Sequence, residues 1–332
     1  MDRREALRLL LASAAASASS LALAPFSFAD ELKGDFYGWT PNTASLRDFI
    51  RRNRYAFISQ QNEEIKGTGV GKIVQLHKAL EVVMGTKFVP HHQQAPDCVA
   101  HAYALGSDIL KAVQIVSGRP EKWVTKAATE PIYGGSRVNV GNYRGPGGGS
   151  TGHWAAEWVS LYGILLRQQY PGYDFTTYDP VLTEAYGRTG CPEPLIPFAR
   201  LHPIKKVAIC KNYSELRDCV ANGSPIIVCS NVGFGSNHCV RDSDGFLTRQ
   251  RRPWYHAMLF AGYDDVYRRK GALCINSWGT GWISGPTRGD QPQGSFWVDA
   301  STVDAMLSQG DSFAVSGFVG FPRFIIPPYI LR

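Results

Sequence analysis

The sequence predicts an α+β protein built as two lobes with a cleft between them. Three observations lead there. Apolar residues recur at helical spacing in the first half of the chain, most clearly from Val99 to Val116 and from Trp154 to Leu166. Beyond residue 203 short β-rich runs take over, at 225–229, 257–263, 271–276, 295–299 and 313–321. The two kinds of element are segregated along the chain rather than alternating, which is the pattern of α+β proteins. A cleft between two such lobes is a natural place for a site.

With 332 residues, 44% of them hydrophobic and 19% charged, the chain has the composition of an ordinary globular protein and can build a substantial core. The net charge of +7 is thinly spread, so no nucleic-acid partner is expected. Residues 1–29 read as a targeting segment. Arg3-Arg4 resembles a twin-arginine export signal, a run rich in Ala, Ser and Leu follows to Ala24, and Ser27-Phe28-Ala29 offers small residues to a signal peptidase. A cut before Asp30 and export to the periplasm or exterior are expected. No later stretch is apolar enough to span a bilayer. Seven cysteines allow up to three disulfides with one thiol left over. They form no Cys-x-x-Cys, which speaks against a zinc or thioredoxin site, and nothing calls for a metal or an organic cofactor.

Taken in order, residues 30–90 begin as loop and then show helical patterns near 45–57 and 72–84. The glycine-rich stretch between them, Lys66–Lys72, is not a Walker loop. Lys66 stands where such a loop needs its first glycine, and Ile73 where it needs a hydroxyl. This N-terminal segment is either an inhibitory pro-region or part of the fold, and its short connection to the next helix favours the second. The helix from Val99 ends at Gly118 and Pro120. Residues 131–150 read as glycine-rich loop, the Trp154 helix follows, and 172–203 is loop-rich. A short helix at 213–221, ended by Asn222-Gly223, precedes the strands, a helix at 302–307 interrupts them, and 323–332 reads as an extended strap. The main domain is placed at 91–322, with the helical lobe at about 91–200 and the β lobe at about 201–322.

The chemistry starts at Gln93–Ser107. Pro96 and Asp97 stand just before Cys98, which places that thiol in the first turn of a helix, where the macrodipole favours an anion. A nearby glutamine amide, Gln93 or alternatively Gln94, suits a developing oxyanion. The plain alternative is a buried, inert cysteine. Among the eight histidines, His91 and His92 read as solvated loop residues and His101 as packing. His77, His153, His202 and His238 have no partner context. His256 opens a strand, and twenty residues later the next strand ends in Asn276-Ser-Trp-Gly-Thr-Gly-Trp282. Adjacent antiparallel strands bring Asn276 beside His256, where its carbonyl can hold the imidazole in one tautomer. Trp278 can shield that bond from water.

The order Gln, Cys, His, Asn and the Asn276–Trp282 string resemble the papain-like cysteine peptidases, as does Gly147–Arg167, where a glycine pair precedes a helix and Tyr162-Gly163-Ile164. The likeness spans roughly Gln93 to Phe321, with insertions. It implies a papain-like two-lobed fold, with a helical left lobe carrying Cys98 and an antiparallel β-barrel-like right lobe carrying His256 and Asn276. It also implies a cysteine-type hydrolase of peptide or protein substrates, with Cys98 and His256 as a thiolate–imidazolium pair and Asn276 orienting the imidazole. The Cys98 N–H and Gln93 would hold the oxyanion, and Gly148, Gly149 and Trp278 would line the substrate site. The sequence departs from the family at Val99, Ala95 and His92, which stand where Trp, Cys and Gln are usual, and at Asp97, whose charge opposes a thiolate unless it only caps the helix. Two other readings are a catalytically impaired papain-fold structural or binding protein with a vestigial or blocked cleft, and a cell-wall peptide amidase. The basic run Arg249–Arg252 is either a solvated loop or a rim selecting acidic substrates.

Overall fold

The computed structural model describes residues 37–61, 63–235 and 238–330. The expected export segment and its cut before Asp30 lie outside the described residues. The N-terminal part supplies α1 (Thr43–Arg52), β1 (Ile73–Gln75) and α2 (His77–Met84). Next come α3 (Cys98–Val116), α4 (Thr129–Gly134), which runs into a π-helical stretch at Gly135–Val140, and α5 (Gly152–Leu161). The hairpin β2 (Gln169–Tyr170) and β3 (Tyr173–Asp174) leads to α6 (Pro180–Thr189) and a short α7 (Ile196–Ala199). The second half holds β4 (Lys206–Ile209), α8 (Tyr213–Ala221), β5 (Ile226–Ser230), β6 (Cys239–Val240), β7 (His256–Asp264) and β8 (Gly271–Ile275). It closes with β9 (Ile283–Ser284), β10 (Ser295–Asp299), α9 (Ala300–Leu307) and β11 (Phe313–Ser316).

The main sheet is antiparallel, in the order β10-β8-β7-β5-β11-β4. No ladder joins β10 to β4 among the described residues, so the barrel-like lobe of the resemblance is here an open sheet. β7 is buried at all nine positions and is its centre. α3 lies across it at Gly106, where a Cβ would come within 3.2 Å of Ile227 and 3.3 Å of Leu259. A close approach of that kind sets how deeply the start of α3 sits against the sheet.

Several elements differ from expectation. The run at 72–84 divides into a strand and a helix. β-branched Ile73 and Val74 pair with Asp264 and Tyr263 of β7, and this pairing outweighs helical periodicity. Residues 131–150 are not all loop, since α4 and the π stretch occupy 129–140. Their glycines serve close packing: a Cβ on Gly135 would lie 2.2 Å from the Trp158 ring. α6 fills part of the supposed loop at 172–203, and its signal was present in Asp179-Pro180, where the Asp179 carboxylate accepts from the N–H groups of Val181 and Leu182. β4 was not foreseen. The Asn222-Gly223 stop after α8 and the full extent of β10 agree with the sequence.

The N-terminal segment is tied into the body by β1 and by a bridge from Phe57 to Ile209. At the other end, Ile326 and Ile330 of the strap are buried, and the Phe324 N–H donates to Asn222 at 2.9 Å. Leu80 of α2 is fully enclosed. Leu80→Ala is expected to lower the stability of the whole chain by about 2–5 kcal/mol in a single urea transition. A detachable segment would leave the main transition unmoved.

Candidate active site

Cys98 is the first residue of α3, and its sulfur lies against the start of β7, accepting the Ala257 N–H at 3.3 Å. His256 is the first residue of β7 and pairs with Ser230 of β5. Its Nε2 stands 2.8 Å from Asn276 Oδ1, just past the end of β8. That oxygen also accepts the Ser277 N–H at 2.7 Å, which fixes the amide with its carbonyl toward the ring. The imidazole therefore donates from Nε2, and Nδ1 carries the lone pair. Nδ1 is buried and has no hydrogen-bond partner among the described residues. Trp278 lies over the imidazole at 4.7 Å between ring centroids, with Trp254 at 6.3 Å. Two strands and one helix start thus bring together Cys98, His256, Asn276 and Trp278.

Gln93 is buried at the same place. Its backbone N–H donates to the Ser277 carbonyl at 2.8 Å, its Nε2 donates to the Ala95 carbonyl at 2.9 Å, and its Oε1 accepts from the Ser277 hydroxyl. Gln94 is exposed, so Gln93 is the glutamine inside the site. Gly149 has φ +103°, and a Cβ there would approach the Gly38 carbonyl oxygen to 2.8 Å. A Cβ on Gly148 would collide with Pro96 at 2.0 Å.

Asp97 does not cap α3. Its carboxylate turns away from the helix N–H groups, lies 3.3 Å from His101 Nε2 and accepts the Tyr178 hydroxyl at 3.0 Å. His101 is thus more than packing: its Nδ1 contacts His91 Nδ1 at 3.2 Å. His91, expected to be solvated, is held well below the usual imidazole range, first by burial and then by the neighbouring His101. His153 also has partners, Asp311 on one side and Ser45 on the other, both at 2.9 Å. No disulfide joins any of the seven cysteines, and all are buried.

Residues Tyr37–Thr40, which no motif marked, lie in the groove over Cys98. The Thr40 N–H donates to the Ser150 carbonyl at 2.9 Å, and the Ser150 N–H donates to the Gly38 carbonyl at 2.8 Å. On the other side the Trp39 N–H donates to the Tyr255 carbonyl at 3.1 Å. The Tyr37 ring meets His256 edge-on at 5.9 Å. Under this cover the thiol and the imidazole are both inaccessible. Burial pushes Cys98 up to about 12, opposed by the N–H groups of Ala257 and Gly38 and reinforced by Asp97. Burial likewise lowers His256 to about 4, opposed by its bond to Asn276. In the closed form the pair is a neutral thiol and a neutral imidazole. Tyr255 also edges an open groove of about 780 Å³ lined by Arg249, Arg251, Asn231 and Val232, so the basic run adjoins the cleft.

No protein-family model matches the sequence, and no curated protein matches it either. Among solved structures the chain is similar to xylellain, a cysteine protease from Xylella fastidiosa, with a TM-score of 0.59 and 19% identity over 86% of this chain and 97% of that one. It also aligns with the proform of the ragweed pollen cysteine protease Amb a 11, at TM-score 0.49 and 16% identity over 83% and 74% of the two chains. Procathepsin B S9 from Trypanosoma congolense aligns at 0.47 and 12% over 88% and 89%. The likeness to xylellain shows the fold, which is papain-like.

Two outcomes follow from the charges at the site. Asp97→Asn removes the carboxylate that raises the thiol, so the iodoacetamide rate of Cys98 should reach its plateau at lower pH than in the parent chain. The second concerns acid. His256 titrates near 4 when covered, below its solvated value of about 6.5. The closed form has full stability above about 6.5. It loses it as pH falls toward 4, because only the open form binds the proton, a loss on the order of 3 kcal/mol. Hydrogen-exchange protection of the Thr40 and Ser150 amides, corrected for intrinsic rates, should fall over that window and stay level in His256→Gln.

Proposed function

We propose that the chain is an exported cysteine peptidase that hydrolyses peptide bonds through Cys98 and His256, and that the strand over its groove keeps it latent. The observation that carries this reading is the His256 imidazole bound to Asn276 through Nε2, with Nδ1 uncommitted, at the strand start against which the Cys98 sulfur lies. The papain-like fold supports a peptidase, and the Arg3-Arg4 segment supports export.

Once the groove opens, Cys98 gives its proton to Nδ1 and the thiolate attacks the substrate carbonyl carbon. The start of α3 favours the anion. The oxyanion is held by the Cys98 N–H and the Gln93 side chain, which must turn from Ala95. The imidazolium protonates the leaving amine, and the C–N bond breaks to leave a thioester. Neutral His256 then takes a proton from water, whose oxygen attacks the thioester and releases the acid and the thiol. Gly149, with no side chain on the groove wall, lets an extended peptide backbone pair as Tyr37–Thr40 does.

The covering strand is not itself in position to be cut. It presents the Gly38 N–H to the sulfur and turns the Gly38 carbonyl to Ser150. The filled groove also favours a second reading, a papain-fold binding protein whose cleft stays closed. Gly38→Ala separates the two, because a Cβ at Gly38 would stand 2.2 Å from the Pro96 carbonyl oxygen and must displace the strand. At an overpacking cost of about 1–3 kcal/mol, Cys98 in that chain should alkylate roughly five- to a hundredfold faster than in the parent. It should cleave casein, and Cys98→Ala or His256→Ala should abolish cleavage. An opened groove that labels at Cys98 but cleaves neither casein nor cell-wall peptide would sink the peptidase reading.

A further inference from the structure

The strand in the groove carries one side chain that a substrate would have to replace. Trp39 is 5% exposed, and its backbone is clasped on one side through Gly38 and Thr40 to Ser150 and on the other to Tyr255. Its indole stacks on the Tyr255 ring at 6.3 Å and 28°. At the far end of the ring, Nε1–H donates to Asp311 Oδ2 at 2.7 Å. Asp311 is itself 3% exposed. Its Oδ2 also accepts the Gly152 N–H at 2.8 Å, and its Oδ1 accepts the His153 N–H at 2.8 Å and contacts His153 Nδ1 at 2.9 Å. The carboxylate is locked at the start of α5 whether or not Trp39 is there, and only the Trp39 donor leaves with the strand.

Resting on the peptidase reading, we propose that this is the pocket that selects the substrate. Asp311 is its specificity-determining residue, and it takes a side chain with an apolar stem and a hydrogen-bond donor at the tip: tryptophan, arginine or lysine. The stem takes the place of the indole on Tyr255, and the tip supplies the donor that Oδ2 loses when the strand departs. A leucine or phenylalanine fills the volume but leaves a buried carboxylate oxygen short of a partner, which is costly. A glutamate would set two carboxylates against each other and is rejected. The latent chain already holds the preferred kind of side chain in place.

The test has two arms. In the full chain, Cys98 alkylation is measured for Trp39→Phe, Trp39→Leu, Trp39→Arg and Trp39→Asp. Loss of the donor in Phe and Leu should raise the rate about tenfold or more, Arg should stay within a few-fold of the parent, and Asp should be fastest. In the Gly38→Ala chain, peptides differing at one position should be cleaved at least tenfold better with Arg or Trp than with Leu or Phe. Asp311→Asn should flatten the Arg-to-Phe ratio, which does not depend on how much of that variant folds. Trp39→Phe labelling no faster than the parent, or an Arg-to-Phe ratio indifferent to Asp311→Asn, would overturn the proposal. If the Trp39 series behaves as expected and no peptide is cut, the pocket stands and the peptidase reading falls.

Discussion

The contact on which the rest depends is the first turn of α3 resting on the first residues of β7. It puts the Cys98 sulfur 3.3 Å from the Ala257 N–H, one residue from His256. Neither lobe can provide this alone. α3 can lie so close to the sheet because Gly106 has no side chain where Ile227 and Leu259 stand. β7 holds His256 at a fixed height because it is hydrogen-bonded along both edges, to β5 and β1 on one and to β8 on the other. β8 then delivers Asn276 to the imidazole. Sheet register, helix depth and the thiol–imidazole geometry are a single constraint.

Electrostatics at that contact are decided by burial. A helix start favours a thiolate by roughly 0.3–1 kcal/mol. Enclosure pushes Cys98 to about 12, a penalty on the order of 4 kcal/mol against the thiolate. Enclosure wins, and Tyr37–Thr40 is part of it, although the Gly38 N–H in that segment works in the opposite direction. Burial also lowers the imidazole, so the two groups are kept neutral together. Removing the cover would let the dipole, the Ala257 N–H and the Asn276 bond act in the direction that charges the pair. In the proposed latent form, solvent exclusion would matter as much as blocked access, and the segment Tyr37–Thr40 contributes to both.

What could be read from the sequence followed the range of each signal. Local caps and stops, such as Asn222-Gly223 after α8, are short-range and were legible. The Asn276–Trp282 string marked Asn276 and Trp278 because those residues act together within a few positions. The strand at Ile73–Gln75 was not legible as a strand, since its partner lies on β7 and only that partner overrides the helical pattern. Gly135 and Gly141 looked like loop because composition does not reveal that Trp158 and Trp154 press against them. Asp311, Trp39 and Tyr178 escaped notice for the same reason. Each is a single residue whose meaning comes from a partner far away in the chain.

The departures from the papain-like pattern beside Cys98 take on a different character once their contacts are known. Asp97 is fully buried next to Cys98, and an isolated carboxylate there would oppose ionisation of the thiol and be costly in its own right. It is not isolated. His101, one turn along α3, and Tyr178 both address its Oδ2, and His101 is in turn held by His91. Val99 faces the core with no exposure. Ala95 stands where the resemblance leads one to look for half of a disulfide, and the chain there is secured instead by Gln93, bonded to Ser277 through both backbone and side chain. The loop before Cys98 is therefore fastened by hydrogen bonds and a buried acid–imidazole contact, each of which needs a defined partner in a defined place. Fixed surroundings of this kind are what positioning a nucleophile requires, and they support the proposed role of Cys98 over that of an inert buried cysteine.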